Sequence, residues 1–440
     1  MMKAGRILIV LLFVGGVIGV LVNGAPIYSR FLYSSISLAL LAWIWTRWVS
    51  KNLTLERNSR ELRANVGDVF EESFKLANTG RLPAPWIEVL NNSTLPAASG
   101  SRLFTLVMGR QIRGYTARTW LTRRGSFKLG PTRVVTGDPF GLFTQARIFQ
   151  PKDVLIVFPM IHEIRSFPMP HGLLTGGQVI RQKSSDITPH AAGVREYVHG
   201  DAMKRIHWST TAHRNKLMVK EFEQDPQAEI WIYLDLQKKS HAQKAYRHEA
   251  MLIQEMIFTK LPKISLPPST LEYSVSIAAS LAHYFVRQRR AVGYASAGQT
   301  LHVLPADRSE RQEAKILETL AFVEADGDLS IAGLVSMQAA LLPQGSSVIL
   351  ITPTVRPDLL QAVDDLLFRS ISPIVVLLDA ATFNGLAGTD KLLASLHERR
   401  IPVVKVECDA NLSQTLSGVS SNFNAKDMRA WQTPELSPSI

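Results

Sequence analysis

The chain has 440 residues, 46% of them hydrophobic and 20% charged, so it is long enough for more than one domain. Its one cysteine, Cys408, excludes an internal disulfide. The net charge of +12 favours an anionic partner. The excess is concentrated between Ser101 and Gln150, where the sequence has nine Lys or Arg and a single acidic residue. We interpret this excess as a basic face near an anionic membrane. Nucleic-acid binding is not favoured, because the sequence has no zinc-finger spacing, RNP-like run or zipper heptad.

Two apolar runs begin the sequence, at residues 7–22 and 28–49. Because about 20 apolar residues cross a bilayer as a helix, both runs are candidate spans. A signal peptide is the alternative interpretation of the first run. Two observations argue against it: Pro26 would directly follow a cleavage site after Ala25, and a second apolar run follows at once. The sequence therefore predicts a transmembrane helical hairpin over residues 1–50, in which Gly15 and Gly19 either face Ser35 and Ala39 or are incidental.

Basic residues lie at the N-terminal end of the first run and at the C-terminal end of the second: Lys3, Arg6, Arg47, Lys51, Arg57, Arg60 and Arg63. Three tryptophans, Trp43, Trp45 and Trp48, suit an interfacial aromatic belt. The positive-inside rule then predicts a multi-pass protein of the cell membrane with cytoplasmic soluble domains.

Residues 51–160 contain short segments of alternating polarity separated by turn residues, which predict an all-β sandwich. Phe140, Leu142 and Phe143 are expected to cap its core. Over residues 225–410, near-continuous apolar runs alternate with helical spacing, including a helix at 241–260. This alternation predicts an α/β domain with a mostly parallel sheet covered on both faces. Residues 411–440 are polar and predict a flexible tail.

Dense mixed charge interleaved with apolar residues marks residues 193–223, which read GVREYVHGDAMKRIHWSTTAHRNKLMVKEFE. Such a segment predicts charges that pair with one another while they are held against a core. Arg195 or Arg205 is expected to pair with an acid of the same segment, and residues 217–222 are expected to be extended, with Leu217 and Val219 on one face. The predicted structural or interaction cluster comprises Arg195, Tyr197, Gly200, Asp201, Arg205, His207, Trp208, Lys220, Glu221 and Glu223.

The pattern R-x-Y-x-x-G-D-x-x-x-x-I-H-W, followed by L-x-V-K-E-F-E, resembles the signature of the domain of unknown function 58 (DUF-58) family. Further motifs begin at Arg124 (R-G-x-F-x-L-G-P) and Asp138 (D-P-F-G-L-F), so the resemblance covers residues 53–408. It implies a membrane-anchored protein with an immunoglobulin-like sandwich and a von Willebrand factor A-like (Rossmann-like) domain. Residues 161–224 would join the two domains, and a MoxR-type AAA+ ATPase would be the partner.

The resemblance also implies a divalent-metal loop of the form Asp-x-Ser-x-Ser, a distant threonine and a second aspartate. Here Asp235 is kept, but Gln237 and Lys239 replace the serines and Pro353 stands where the second aspartate is expected. We therefore expect a degraded site without metal, in which Asp235 pairs with a Lys or Arg. Four histidines, His190, His199, His207 and His213, lack the spacing of a helix-borne zinc site. His207 is expected at the edge of a core with a hydrogen-bond partner.

Two hypotheses for the function follow. The favoured one is a membrane-anchored protein–protein interaction scaffold, an adaptor for a MoxR-type ATPase in the assembly of membrane or envelope complexes. The alternative is an enzyme of unknown reaction that uses the charged cluster between Arg195 and Glu223. No nucleophile elbow, P-loop or His-Glu-x-x-His motif is present, so the sequence identifies no catalytic residue, cofactor or small-molecule substrate. The expected partners are the lipid bilayer and a protein.

Overall fold

The computed structural model describes residues 2–150, 153–168, 191–198, 203, 206–222, 229–245 and 265–422. The chain divides into two units. The first comprises Met1–His162, Lys244–Ala279 and Ala314–Glu324. The second comprises Glu163–Gln243, Ser280–Glu313 and Ala325–Ile440.

Two helices, α1 (Met2–Val22) and α2 (Pro26–Lys51), open the first unit. Both are long and apolar enough to span a membrane, as predicted, and most of their large apolar side chains are exposed. The glycines in their interface are Gly16 and Gly19. A Cβ at Gly16 would lie 3.1 Å from the backbone of Leu32, and one at Gly19 would overlap the ring of Tyr28. Gly15 faces open space and Gly19 lies against Tyr28, so the alternative in which Gly15 and Gly19 pack on Ser35 and Ala39 is not the one observed.

The rest of the first unit is rich in β-strands, as predicted. Its strands are β1 (Leu53–Ser59), β2 (Arg63–Asn65), β3 (Val69–Asn78), β4 (Ala84–Asn91), β5 (Arg102–Val107), β6 (Gln111–Trp120), β7 (Gly125–Lys128), β8 (Thr132–Gly137), β9 (Thr144–Phe149) and β10 (Val154–Phe158). They form sheets of order β1-β3-β6, β5-β4-β8-β9 and β2-β10-β7. We refer to these strands together as the β domain.

Alternation along the strands produces the core of the β domain. On β3, Phe70, Glu72, Phe74 and Leu76 are buried and the residues between them are more exposed. Leu76 shares one core cluster with Ile87 and Val134, so the sheets β1-β3-β6 and β5-β4-β8-β9 enclose a common core. Of the three residues expected to cap this core, only Leu142 is buried. Phe140 is 55% exposed and Phe143 is 36% exposed.

A six-stranded sheet lies in the second unit, in the order β15-β14-β13-β16-β17-β18. Its strands are β13 (Ile230–Leu234), β14 (Val292–Ala297), β15 (Leu301–Asp307), β16 (Ser347–Thr352), β17 (Ser372–Leu378) and β18 (Val403–Val406). All pairings are parallel except that of the edge strand β15, which runs antiparallel to β14. Every residue of β13, β14 and β16 is buried. The predicted mostly parallel sheet with two covered faces is therefore confirmed.

Helices α6 (Ile331–Gln338), α7 (Asp358–Phe368) and α8 (Thr389–Glu398) share one core cluster with this sheet. Their apolar residues recur at helical spacing, as in the buried Leu359, Val363 and Leu366 of α7. Two further helices, α4 (Thr270–Arg287) and α5 (Glu310–Phe322), are divided between the two units.

Two predicted elements differ from the structure. Residues 241–245 are not helical, and the remainder of the helix predicted at 241–260 lies outside the described residues. The predicted flexible tail instead starts with a helix, α9 (Leu412–Asn422), which packs on β18. Leu412 and Leu416, four residues apart, bury one face of that helix among otherwise polar residues.

Candidate functional site

The carboxyl ends of the parallel strands form one edge of the sheet, which is where α/β folds bind ligands. Asp235 follows β13, Thr352 ends β16, Asp379 follows β17 and Glu407 follows β18. This edge therefore collects the polar side chains that the sequence places just after buried strands.

Asp235 is the central polar residue at this edge, and it is 2% exposed. One carboxylate oxygen accepts a hydrogen bond from the Gln237 amide at 2.9 Å, and the other accepts one from the Thr352 hydroxyl at 2.6 Å. Burial raises the pKa of Asp235 to about 6, although these two hydrogen bonds oppose the shift. The expectation of a Lys or Arg partner for Asp235 is wrong, because both of its oxygens are bonded within the loop and to the neighbouring strand.

Gln237 is held in place by the same loop. Its side-chain amide donates to the Asp328 carbonyl at 3.0 Å, and its side-chain oxygen accepts from Ser240 at 3.0 Å. Pro353 directly follows β16, and its side chain has no oxygen atom. No group of three or more His, Cys, Asp or Glu that could hold a metal occurs in the described ranges. These residues do not fit the divalent ion that the family resemblance implies, since Mg²⁺ requires several free oxygen ligands.

A second buried carboxylate, Asp379, is neutralised by Lys405. The ammonium of Lys405 lies 3.0 Å from Asp379, 3.0 Å from Asp390 and 3.2 Å from Glu407. Hydrogen bonds to Asp390 and Asp379 hold the pKa of Lys405 above its usual range. This cluster was not predicted from the sequence. Its signal is the single lysine within the apolar run Val403–Val406.

A cleft of about 520 Å³ lies between the loops that follow β13, β16 and β17. It is lined by Gln237, Lys239, Ser240, His241, Ala242, Gln243, Pro353, Thr354, Val355, Arg356, Ala380, Asn384, Gly385 and Leu386. The lining contains two cationic side chains, Lys239 and Arg356, and no carboxylate. Lys239 is exposed and forms no ion pair with any residue that the structure describes, whereas Arg356 lies 3.4 Å from Asp358. The cleft can therefore receive an anionic group.

The predicted charged cluster falls on a small hairpin in the second unit. Its strands are β11 (Ala191–Glu196) and β12 (Met218–Phe222), and helix α3 (Trp208–Arg214) precedes β12. Gly200, Asp201, Arg205 and Glu223 lie outside the described residues, as do His190 and His199. For Arg195, Lys220 and Glu221 the structure describes the backbone pairing alone. The expected charge pairs among these residues therefore stay predictions.

His207 and Trp208 differ in their surroundings. The Nδ1 of His207 lies 2.7 Å from the Thr210 hydroxyl and accepts a hydrogen bond from the Thr210 amide, so His207 caps α3. Trp208 is 66% exposed. Met218 and Val219 are both buried and Leu217 is 44% exposed, so the predicted common face of Leu217 and Val219 stays a prediction. Val219 is bridged by Ile206 on one side and paired with β11 on the other.

Comparisons with known proteins point to one family. A family model described as "Protein of unknown function DUF58" matches residues 193–260. The uncharacterized protein YeaD of Bacillus subtilis (strain 168) is 24% identical over 311 residues, which cover 68% of this chain and 69% of that protein. These two findings support the DUF58 family. They show a likeness in sequence and not an activity.

Two solved structures resemble parts of this chain only weakly. Proximal thread matrix protein 1 from the mussel byssus matches with a TM-score of 0.29 and 14% identity, over 44% of this chain and 47% of that one. The CARDB domain of the PF1109 protein from Pyrococcus furiosus matches with a TM-score of 0.17 and 16% identity, over 24% of this chain and 91% of that one. At these TM-scores neither likeness supports a conclusion about fold.

Proposed function

We propose that this chain is a membrane-anchored interaction scaffold in which the cleft at the sheet edge binds an acidic group of a protein partner. In this proposal the two N-terminal helices are the anchor, the β domain is immunoglobulin-like and the α/β region is von Willebrand factor A-like. The antiparallel edge strand β15 within an otherwise parallel sheet supports the last assignment.

The observation that carries the proposal is the charge of the cleft lining. Two cations and no carboxylate face a volume of about 520 Å³, and Lys239 is exposed. An ammonium that is not already paired can form an ion pair with an incoming carboxylate, which favours an acidic partner over other proteins. Leu386, which lines the cleft and is 69% exposed, adds apolar surface that a protein partner would cover.

Binding is favoured over catalysis because the two buried acids of this edge are occupied within the fold. Asp235 is held by Thr352 and Gln237, and Asp379 by Lys405 and Thr389. Neither carboxylate lines the cleft, so neither is placed as a base for a bound substrate.

The partner proposed is a MoxR-type AAA+ ATPase, reached from the cytoplasmic side of the cell membrane. The support for this identity is the resemblance to the DUF58 family, and the support for the cytoplasmic side is the Lys and Arg bias that flanks the two helices.

Charge reversal tests the proposal. The full chain is placed in lipid nanodiscs, and its affinity for a MoxR-type ATPase of the same organism is measured. Lys239→Glu reverses a charge in the cleft, whereas Lys238→Glu reverses that of its exposed neighbour, which does not line the cleft. We expect Lys239→Glu to weaken binding about tenfold, or about 1.4 kcal/mol, and Lys238→Glu to leave it unchanged. No binding by the unmodified chain, or equal effects of the two variants, would contradict the proposal.

A further inference from the structure

One end of the β domain contacts the last turn of α2 and the first turns of α1. Helix α2 ends at Lys51, one residue before β1, and the Thr79 hydroxyl donates to the Asn52 carbonyl at 2.8 Å. The Arg110 amide donates to the Gly80 carbonyl at 2.9 Å. The turns at residues 79–83 and 108–110 therefore lie beside the end of α2. We call this the anchor-proximal end of the β domain.

The hairpin β8–β9 is also fixed to both helices. Arg6 of α1 donates to the Leu142 carbonyl at 2.7 Å. Arg147 of β9 donates to the carbonyls of Lys51 and Leu53 at 2.9 and 2.6 Å, so it caps the end of α2. A Cβ at Gly5 would lie 2.8 Å from the Phe140 carbonyl oxygen. The loop at residues 138–143 thus lies directly against the first turns of α1.

That loop holds two aromatic side chains out of the core. Buried Asp138 accepts hydrogen bonds from the amides of Phe140 at 2.8 Å and Phe143 at 2.6 Å, which fixes the backbone of the loop. Phe140 is 55% exposed and Phe143 is 36% exposed. Leaving a large apolar side chain in water forfeits about 1.5–3 kcal/mol of burial, so a surface that can cover both rings would be bound favourably.

The apolar helix defines where a bilayer would meet this loop. The 18-residue window Gly5–Val22 rises about 27 Å as a helix, close to the hydrocarbon thickness of about 30 Å. If Val22 lies at one boundary, Gly5 and its neighbour Phe140 lie at the other. Trp43, which is 48% exposed with the Arg47 guanidinium 5.8 Å from its ring centroid, is an interfacial residue type in the same hairpin.

Charge and further apolar surface extend along the same end. Arg81, Arg110 and Arg113 are exposed there, and the turns at 79–83 and 108–110 contain no acid. Three apolar side chains beside them are also exposed: Leu106, Met108 and Ile112. Cationic side chains interleaved with apolar ones are the composition that binds the headgroup region of anionic membranes.

We propose that the anchor-proximal end of the β domain is a second membrane contact. Phe140 and Phe143 insert into the lipid interface, and Arg81, Arg110 and Arg113 contact anionic headgroups. The inference rests on the membrane anchoring proposed above and adds that the β domain lies on the bilayer in one fixed orientation. The occupant of this surface is lipid, because the same end is bonded to both apolar helices.

Site-specific fluorescence tests this contact. In a Cys408→Ser background, single cysteines replace Phe140, Met108, Leu11 or Lys128 and are labelled with the environment-sensitive fluorophore NBD. The full chain is reconstituted into nanodiscs of phosphatidylcholine and phosphatidylglycerol, with spin-labelled lipids as quenchers. Leu11, which is 62% exposed on α1, reports the anchor itself. Lys128, exposed at the opposite end of the β domain, is the aqueous control.

We expect blue-shifted emission and quenching by headgroup-level spin labels at positions 140 and 108, quenching by deep labels at 11, and neither at 128. Quenching at 11 with an aqueous signal at 140 would overturn this inference and leave the anchor intact. An aqueous signal at 11 would overturn the anchor itself, and this contact with it.

A second variant tests the two rings and the charges. Phe140→Ser with Phe143→Ser should reduce quenching at position 108 while leaving the melting temperature in detergent unchanged, because both side chains are exposed. Omitting phosphatidylglycerol should reduce quenching at position 108 as well. Unchanged quenching in the double variant would overturn the role of the phenylalanines, and unchanged quenching without phosphatidylglycerol would overturn that of the arginines.

Discussion

The hydroxyl of Thr352 donates a 2.6 Å hydrogen bond to the carboxylate of Asp235, which lies 117 residues earlier in the chain. The two residues stand at the carboxyl ends of the neighbouring parallel strands β13 and β16. This bond joins the loops on either side of the cleft and uses the carboxylate that would otherwise be free to hold a metal or to act as a base. Hydrogen bonds within the fold therefore occupy the carboxylate of Asp235. The charged side chains that line the cleft beside it are cations.

The buried Asp235 should make stability depend on pH. Its pKa is about 6 in the folded chain and 3.8 when exposed, because burial disfavours the ionised form. As the pH rises from 3.8 to 6, the unfolded chain loses a proton that the folded chain keeps. The free energy of unfolding should therefore fall by on the order of 3 kcal/mol across this window. Asp235→Asn should show a shallower fall, measured by melts of the full chain in detergent. Parallel profiles for the two proteins would contradict the assignment.

Lys405 should stabilise the sheet edge at neutral pH. Its pKa lies above the usual range because Asp390 and Asp379 accept its hydrogen bonds, so its contribution is complete at neutral pH and is lost only in strong base. Lys405→Met leaves three acids without their shared cation and should cost about 1 kcal/mol, since the group is partly exposed. Lys391→Met, an exposed change on α8, is the control. Equal melting temperatures for the two variants would argue against the cluster.

Arg57 and Glu72 form an ion pair inside the β domain. Arg57 donates to Glu72 at 2.7 Å, and the Glu72 side chain is 1% exposed. Burial raises the pKa of Glu72, and the charge of Arg57 opposes that shift. Arg57→Ala should cost about 3–5 kcal/mol because it leaves a buried carboxylate unpaired, and adding Glu72→Gln should recover part of this loss.

The matched control lies on the neighbouring residue of the same strand. Arg118 and Glu71 pair at 2.7 Å, but their side chains are 63% and 48% exposed. Arg118→Ala should change the free energy of unfolding by at most about 1 kcal/mol. Chemical denaturation that gives similar losses for Arg57→Ala and Arg118→Ala would show that burial does not decide the strength of these pairs.

Arg124 should be sensitive even to a conservative change. Its guanidinium donates to the carbonyls of Leu320 at 3.1 Å and Val323 at 2.6 Å, and it pairs with Glu272. These contacts use Nε, Nη2 and Nη1, and the single nitrogen of a lysine cannot occupy three separate positions, so Arg124→Lys should cost about 2–3 kcal/mol. Arg123→Lys, at the exposed neighbour, should be neutral. A melting temperature of Arg124→Lys equal to that of Arg123→Lys would contradict this role.

The sequence predicted what depends on local patterns. The strands of the α/β region are continuous apolar runs, because a parallel sheet buried on both faces leaves no place for alternation. Val403–Val406, one of these apolar runs, forms the whole of β18, and β14 pairs antiparallel with β15 across a short turn. The two apolar helices followed from length and hydropathy alone.

Contacts between residues far apart in the sequence could not be predicted in this way. Asp235 pairs with Thr352 because β16 lies beside β13, and Arg124 meets Leu320 and Val323 across nearly 200 residues. No spacing pattern in the sequence identifies Thr352, Leu320 or Val323 as a partner. Phe140 and Phe143 were predicted to be buried because apolar residues usually face the core of a domain. Both are exposed instead. They lie beside a helix that can span a membrane, and a membrane is another apolar environment for them.

Site-specific photo-cross-linking tests the central claim most directly. A photoreactive amino acid replaces Leu386, which lines the cleft and is 69% exposed, or Phe368, which ends α7, is 90% exposed and lies outside the cleft. The full chain is irradiated in native membranes that contain a MoxR-type ATPase. The account predicts an ATPase cross-link from position 386 that maps to an acidic segment, is lost in Lys239→Glu, and is absent from position 368. A cross-link from position 368 alone, or an unchanged cross-link from position 386 in Lys239→Glu, would contradict it.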